Sequence, residues 1–183
     1  MTATETKSTA ATYTIDPQHA RAHFKVRHLM IAWVRGEFQN VSGTVTFDPK
    51  NLAASSIVAK IDASTIKTGV DDRDTHLKSA DFLEVAKFPS IEFRSTTLRA
   101  KGDGYEAVGE LTIHGVSKPV TLAIEDVSDE TKDPWGNTKR GATATAKINR
   151  KDFGLAWNAA LETGGFVVGD DVHITIELEL TKN

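Results

Sequence analysis

Apolar and polar residues alternate one by one along most of this chain. The clearest run is VHITIELEL, where Val172, Ile174, Ile176, Leu178 and Leu180 fall on one side and His173, Thr175, Glu177 and Glu179 on the other. Successive side chains of a β-strand point to opposite faces, so the run predicts a strand with one buried and one wet face. The same alternation recurs through Ala20–His28, Val41–Phe47, Ile57–Ala63, Ile91–Phe93, Tyr105–Ile113, Val120–Ile124 and Ala142–Ile148. Turn-forming residues separate these runs: Asp48-Pro49, Gly102-Asp103-Gly104, His114-Gly115, Asp133-Pro134-Trp135-Gly136 and Gly164-Gly165. Between Phe38 and Val41 the apolar parity shifts by one, which predicts a bulge at Gln39-Asn40. Roughly eight strands joined by short turns fit an antiparallel sandwich or barrel. Closure removes exposed edges and so favours the barrel.

One stretch departs from the alternation. DDRDTHLKSADFLEVAKFP, at 71–89, is dense in charge and helical in pattern. Asp71, Asp72 and Asp74 crowd its start, where the helix dipole favours anions, and Thr68 precedes them as in a capping box. Pro89 ends the segment. The expectation is a short helical insert near residues 70–83 that plants Leu77, Phe82, Leu83 and Phe88 over one end of the barrel.

The 183 residues suit one domain: a tail over 1–12 and a barrel over 13–183. With 39% hydrophobic and 26% charged residues the chain reads as soluble and globular. A net charge of −3 argues against nucleic acid as a partner. Cys is absent, which excludes disulfides, zinc–thiolate sites and thiol catalysis. The N-terminus lacks the apolar core of a secretion signal, so the expected location is cytoplasmic, or periplasmic if a signal was removed.

Composition of the inward faces matters more. Ala20, Ala22, Ala59, Ala63, Ala107, Gly109, Ala142, Ala144 and Ala146 all lie on apolar parity. Interiors pack near a density of about 0.74, so such a barrel must be filled, either by its own aromatic rings or by an apolar ligand. The lining expected of a ligand-filled barrel is Phe24, Val26, Phe38, Val45, Phe47, Ile61, Phe82, Phe93, Leu111, Ile113 and Trp157. His28 follows Phe24 and Val26 on the inward parity and is a candidate for a ligand headgroup or a buried backbone carbonyl. Arg73 is a candidate clamp for an anionic head, or an ion-pair partner of a neighbouring Asp. His19 and His23 sit too far apart along a strand for ready joint ligation, and no metal is expected. No nucleophile-elbow, phosphate-loop or metalloprotease motif occurs, so no catalytic residue is assigned.

The run RDTHLKSADFLEVAKFPSIEFRS resembles the signature segment of the YceI-like lipid-binding proteins. YTIDPQHARAHFKVRHLMIAWVRGEF, GELTIHGVSKPVTL, INRKDFGL and VVGDDVHITIELEL resemble other segments of that family in the same order, covering 13–181. The resemblance implies a closed, lipocalin-like antiparallel barrel with a long internal pocket. It implies binding, transport or storage of a polyisoprenoid or isoprenoid quinone, with no other cofactor. Transient membrane contact would follow, and a homodimer stays open. Two other readings are an enzyme acting on a hydrophobic small molecule through His28 and mouth carboxylates, and a packed barrel that binds a protein on its outer face.

Overall fold

A computed structural model describes residues 9–183. Eleven strands form one antiparallel sheet: β1 (Ala11–Ile15), β2 (Arg21–His28), β3 (Ala32–Phe38), β4 (Val41–Phe47), β5 (Ser56–Asp62), β6 (Ser90–Lys101), β7 (Gly104–Ile113), β8 (Val116–Glu125), β9 (Thr131–Lys132), β10 (Thr138–Asn149) and β11 (Val168–Lys182). The ring runs β1-β4-β5-β6-β7-β8-β10-β11 and closes where β11 pairs with β1, an eight-stranded barrel as the alternation predicts. β2 continues β1 along the same edge of β11, beyond a turn at Pro17-Gln18. β3 rides on β2 as a hairpin, and the two-residue β9 flanks β10.

Several expectations shift in detail. Of the anticipated tail, residues 1–8 lie outside the described residues, while Ala11 and Thr12 pair with Phe47 and Thr46 and belong to the barrel. At Gln39-Asn40 the chain does more than bulge. Asn40 takes a left-handed φ of 56° and the strand breaks into β3 and β4. The Thr65 hydroxyl holds this corner, accepting from the Gln39 N–H and donating to the Gln39 carbonyl. The insert's helix, α1, covers only Asp71–Lys78. No residue of α1 is buried; Phe82 and Leu83, in the turns that follow, are.

The two ends of the barrel differ. Insert 63–89 joins β5 to β6, so it sits at the same end as the β7–β8 turn, the β10–β11 connection and the β2–β3 hairpin. At the opposite end Phe47 packs edge-on against Tyr105 at 5.2 Å, and the Arg140 guanidinium lies over the rings of Phe47 and Tyr13. That end is plugged by the chain's own rings.

Between β1 and β2 a polar cluster ties the sheet together. The Asp16 carboxylate accepts from the His19 ring at 3.0 Å, the Gln18 N–H at 3.0 Å and Lys139 at 3.1 Å. These bonds, the His19 contact foremost, hold the Asp16 pKa at about 2 against its ordinary 3.8. A depressed carboxylate pKa stabilises the fold above the ordinary value, and that contribution is lost as pH falls toward the folded value. Asp16→Asn is therefore expected to cost about 1 kcal/mol at neutral pH and nearly nothing below the folded pKa. Denaturant unfolding at both pH values checks this; an equal cost at both would contradict it.

Candidate functional site

An elongated cavity of about 240 Å³ lies inside the barrel, and its exposed wall is apolar throughout. The cross-strand register builds it. Ala22 sits between Ile176 of β11 and Phe38 of β3. Ala59 sits between Gly43 of β4 and Phe93 of β6, and Ala144 between Ile124 of β8 and Ile176. Each small residue leaves room beside a larger neighbour: Ile176 and Phe38, Phe93, and Ile124 and Ile176 in turn. Ala22, Ala59, Ala142 and Ala144 border the cavity, whereas Ala20, Ala63 and Ala107 are buried in packed regions.

Part of the space is refilled by the chain's own rings. A Cβ on Gly36 would come within 2.4 Å of the Phe24 ring, and one on Gly109 within 2.5 Å of the Phe93 ring. These glycines lodge the rings against the wall, so the centre stays open.

Phe24, Val26, Phe38, Val45, Ile61, Phe82, Phe93, Leu111 and Ile113 converge on the cavity. The other four sequence candidates lie elsewhere. Phe47 belongs to the plugged end. Trp157 stands behind Phe82, with ring centroids at 5.3 Å, and edge-on to His76 at 4.7 Å, so it buttresses the roof and does not line the tube. His28 ends β2 opposite Ala32 and Val168, past the point where β11 slips register between Val168 and Val172, and stays outside the lining. Arg73 is turned back on the insert: its Nε and Nη2 donate to the Thr68 hydroxyl and carbonyl. It clamps the capping loop, where Thr68 also bonds Asp74. Among the described residues it has no carboxylate partner.

Residues that sequence reasoning left out complete the wall. Leu122 and Ile124 come from β8, Ile148 from β10, and Ile174, Ile176 and Leu178 from β11. Their alternation was legible; their contribution to the lining depended on the ring pairings, β10 against β8 and β11 against β1 at the closure. Leu77, Phe82 and Leu83 roof the insert end.

Arg150 is the one buried cation at that end among the described residues, 3% exposed. It donates from Nε to the Gly169 carbonyl at 2.8 Å, from Nη1 to the Leu155 and Trp157 carbonyls, and from Nη2 to the Val168 carbonyl at 3.3 Å. Burial pushes its pKa down, and Asp170 at 3.5 Å opposes that. An arginine stays charged even so. Its role is to knot the 154–168 connection onto the barrel, with Asn158 bonding the Val168 N–H and carbonyl beside it.

Other polar clusters are outside the cavity. Asp16, His19 and Glu179 converge as ligands might, but the Lys139 ammonium lies 3.1 and 2.9 Å from the two carboxylates and supplies the positive charge there. His114, in the β7–β8 turn, packs edge-on against Phe88 at 4.7 Å and stands 3.4 Å from Glu84.

Known proteins share this architecture. A family model described as the YceI-like domain matches residues 13–180. "Protein YceI" from Salmonella newport is 43% identical over 148 residues, 80% of this chain and 77% of that protein. The crystal structure of Burkholderia cenocepacia BcnA superposes with a TM-score of 0.78 at 23% identity, covering 90% of this chain and 98% of that one. A polyisoprenoid binding domain from Saccharophagus degradans, implicated in plant cell wall breakdown, superposes with a TM-score of 0.65 at 14% identity, covering 94% and 99%. The ordered sequence motifs, the closed eight-stranded ring and the match over nearly its whole length agree: this chain belongs to the YceI-like domain family.

Proposed function

We propose that the protein binds the apolar chain of an amphiphilic lipid inside the barrel, carrying or storing it without chemical change. The observation that carries this reading is the wholly apolar cavity of about 240 Å³ inside the barrel. A cavity that size far exceeds the roughly 10–15 Å³ needed by one water, yet offers water no polar partner. It falls just below the roughly 300 Å³ at which pockets for compact ligands begin. A slender chain fits such a tube better than a fused ring system. The S. degradans domain, which shares the fold, is a polyisoprenoid binding domain, and a prenyl chain has the required girth.

Affinity would come from area, at about 25 cal/mol for each Å² of apolar surface withdrawn from water. Selectivity would then be for length and width, with the polar head left at the insert end near Phe82 and Trp157. Isoprenoid quinones fall within that class. Acid–base chemistry needs polar groups that converge on a substrate. Among the described residues none presents a polar surface to the cavity, and His28 stands outside it.

Organic extraction of the protein purified without detergent, followed by mass spectrometry, is expected to yield a prenyl or similar long-chain lipid near one per chain. Recovery of none, together with no uptake of added prenyl alcohol, would contradict the proposal.

A further inference from the structure

We infer that the β2–β3 hairpin tip, with Phe166 beside it, docks this end of the barrel onto a membrane surface bearing anionic lipids. The inference builds on the lipid-binding reading and adds where the exchange takes place. Met30 is 57% exposed, Ile31 79% and Phe166 54%. The Leu29 N–H donates to the Val167 carbonyl at 2.9 Å, which brings the Phe166 segment against the hairpin. The tip therefore presents several large apolar side chains to water at one place. Scattered exposed apolar residues are ordinary; a cluster on one protruding turn marks an interaction site.

The turn itself is unusual. Leu29 and Met30 both take left-handed backbone conformations, φ 51° and 61°. His28 pairs with Ala32, so the loop is Leu29-Met30-Ile31, and hairpin loops that need positive φ at consecutive residues favour Asn and Gly. This one keeps two long apolar side chains in that conformation, which costs backbone strain and solvent exposure together. Embedding in a lipid interface would recover the second cost.

Charge points to the same partner. On the outer face of the hairpin Lys25 stands directly opposite Arg35, and Arg27 opposite Trp33. Like charges facing one another across a strand pair are destabilising. Among the described residues none of Lys25, Arg27 and Arg35 has a carboxylate within 4.0 Å, on a chain whose net charge is −3. Lys25 and Arg27 instead lie over the Trp33 ring, at 5.0 and 4.5 Å. An uncompensated cationic stem carrying an apolar tip, with an indole between, has the composition of an interfacial anchor. Asp71 and Asp72, at the start of α1, belong to the insert and not to this hairpin.

Co-sedimentation with phosphatidylcholine vesicles, with and without phosphatidylglycerol, tests the inference. Binding is expected only to the anionic vesicles and should weaken as salt is added. The double variant Met30→Ser/Ile31→Ser should lower partitioning on the order of tenfold, and Lys25→Gln/Arg35→Gln should flatten the salt dependence. A melting temperature like the parent's would show that both variants fold. Absence of binding to either vesicle, or binding untouched by the tip substitutions, would overturn the inference. So would a concentration-dependent dimer that Ile31→Ser dissolves while vesicles remain unbound. Extracted lipid is assayed in the same samples. A lipid-loaded protein that ignores vesicles defeats the docking alone, and a vesicle-binding protein that holds no lipid defeats the carrier reading alone.

Discussion

Ala144→Phe should reduce affinity for a prenyl ligand on the order of 100-fold while leaving the barrel folded. Ala144 lies midway along β10, flanked by Ile124 and Ile176, and faces the cavity. A phenyl ring there would occupy a substantial part of the 240 Å³ now open. Each isoprene unit excluded forfeits about 2–4 kcal/mol of burial. Overpacking a filled core destabilises, but here the ring enters a void, so the stability change should stay within about 1.5 kcal/mol. Titration with a prenyl alcohol, alongside thermal unfolding, checks both halves. Full affinity in a folded variant would mean that the ligand sits elsewhere; Ala144→Val should show a smaller loss in the same direction.

Arg150→Met should cost about 3–5 kcal/mol. The guanidinium is buried and bonds four backbone carbonyls, those of Leu155, Trp157, Val168 and Gly169. Methionine approximates the volume and satisfies none of them. For a domain of this size the melting temperature should drop by roughly 6–20 °C. The loosened 154–168 connection carries Trp157, which braces Phe82 of the roof, so ligand release should also quicken. Arg150→Lys should recover little, because one ammonium cannot reproduce the planar fork. Denaturant unfolding and stopped-flow release of a fluorescent prenyl probe measure the two effects. A variant as stable as the parent would remove Arg150 from its structural role.

Both substitutions show what the chain discloses of itself. Strand parity is a local property, and it placed Ile174, Ile176, Ala22 and Ala144 inward because one-residue steps flip faces. Height along the barrel axis is not local. Phe47 and Phe38 share inward parity, yet Phe47 falls in the plugged end while Phe38 reaches the cavity. His28 continues the parity of Phe24 and Val26 but lies beyond the irregularity of β11, which only pairing reveals. Arg150 sits in a short turn after β10, where a charged residue ordinarily reads as solvated; only the return of the chain from Leu155 to Gly169 surrounds it with carbonyls. The insert was legible as a cap, because Leu77, Phe82 and Leu83 stand out among charges, though its helix ends sooner than the charge pattern implies. Small inward residues signalled space correctly at Ala59 and Ala144. At Gly109 the same signal meant a seat for an aromatic ring.

Crystallisation of the protein with a saturating prenyl alcohol would test most directly whether the barrel is a container. The expected result is continuous tubular density along the axis, bounded by Phe38, Phe93, Leu122 and Ile176, with the polar end toward Phe82. Density confined to the outer surface, or a lumen closed by shifted side chains with no ligand inside, would contradict it.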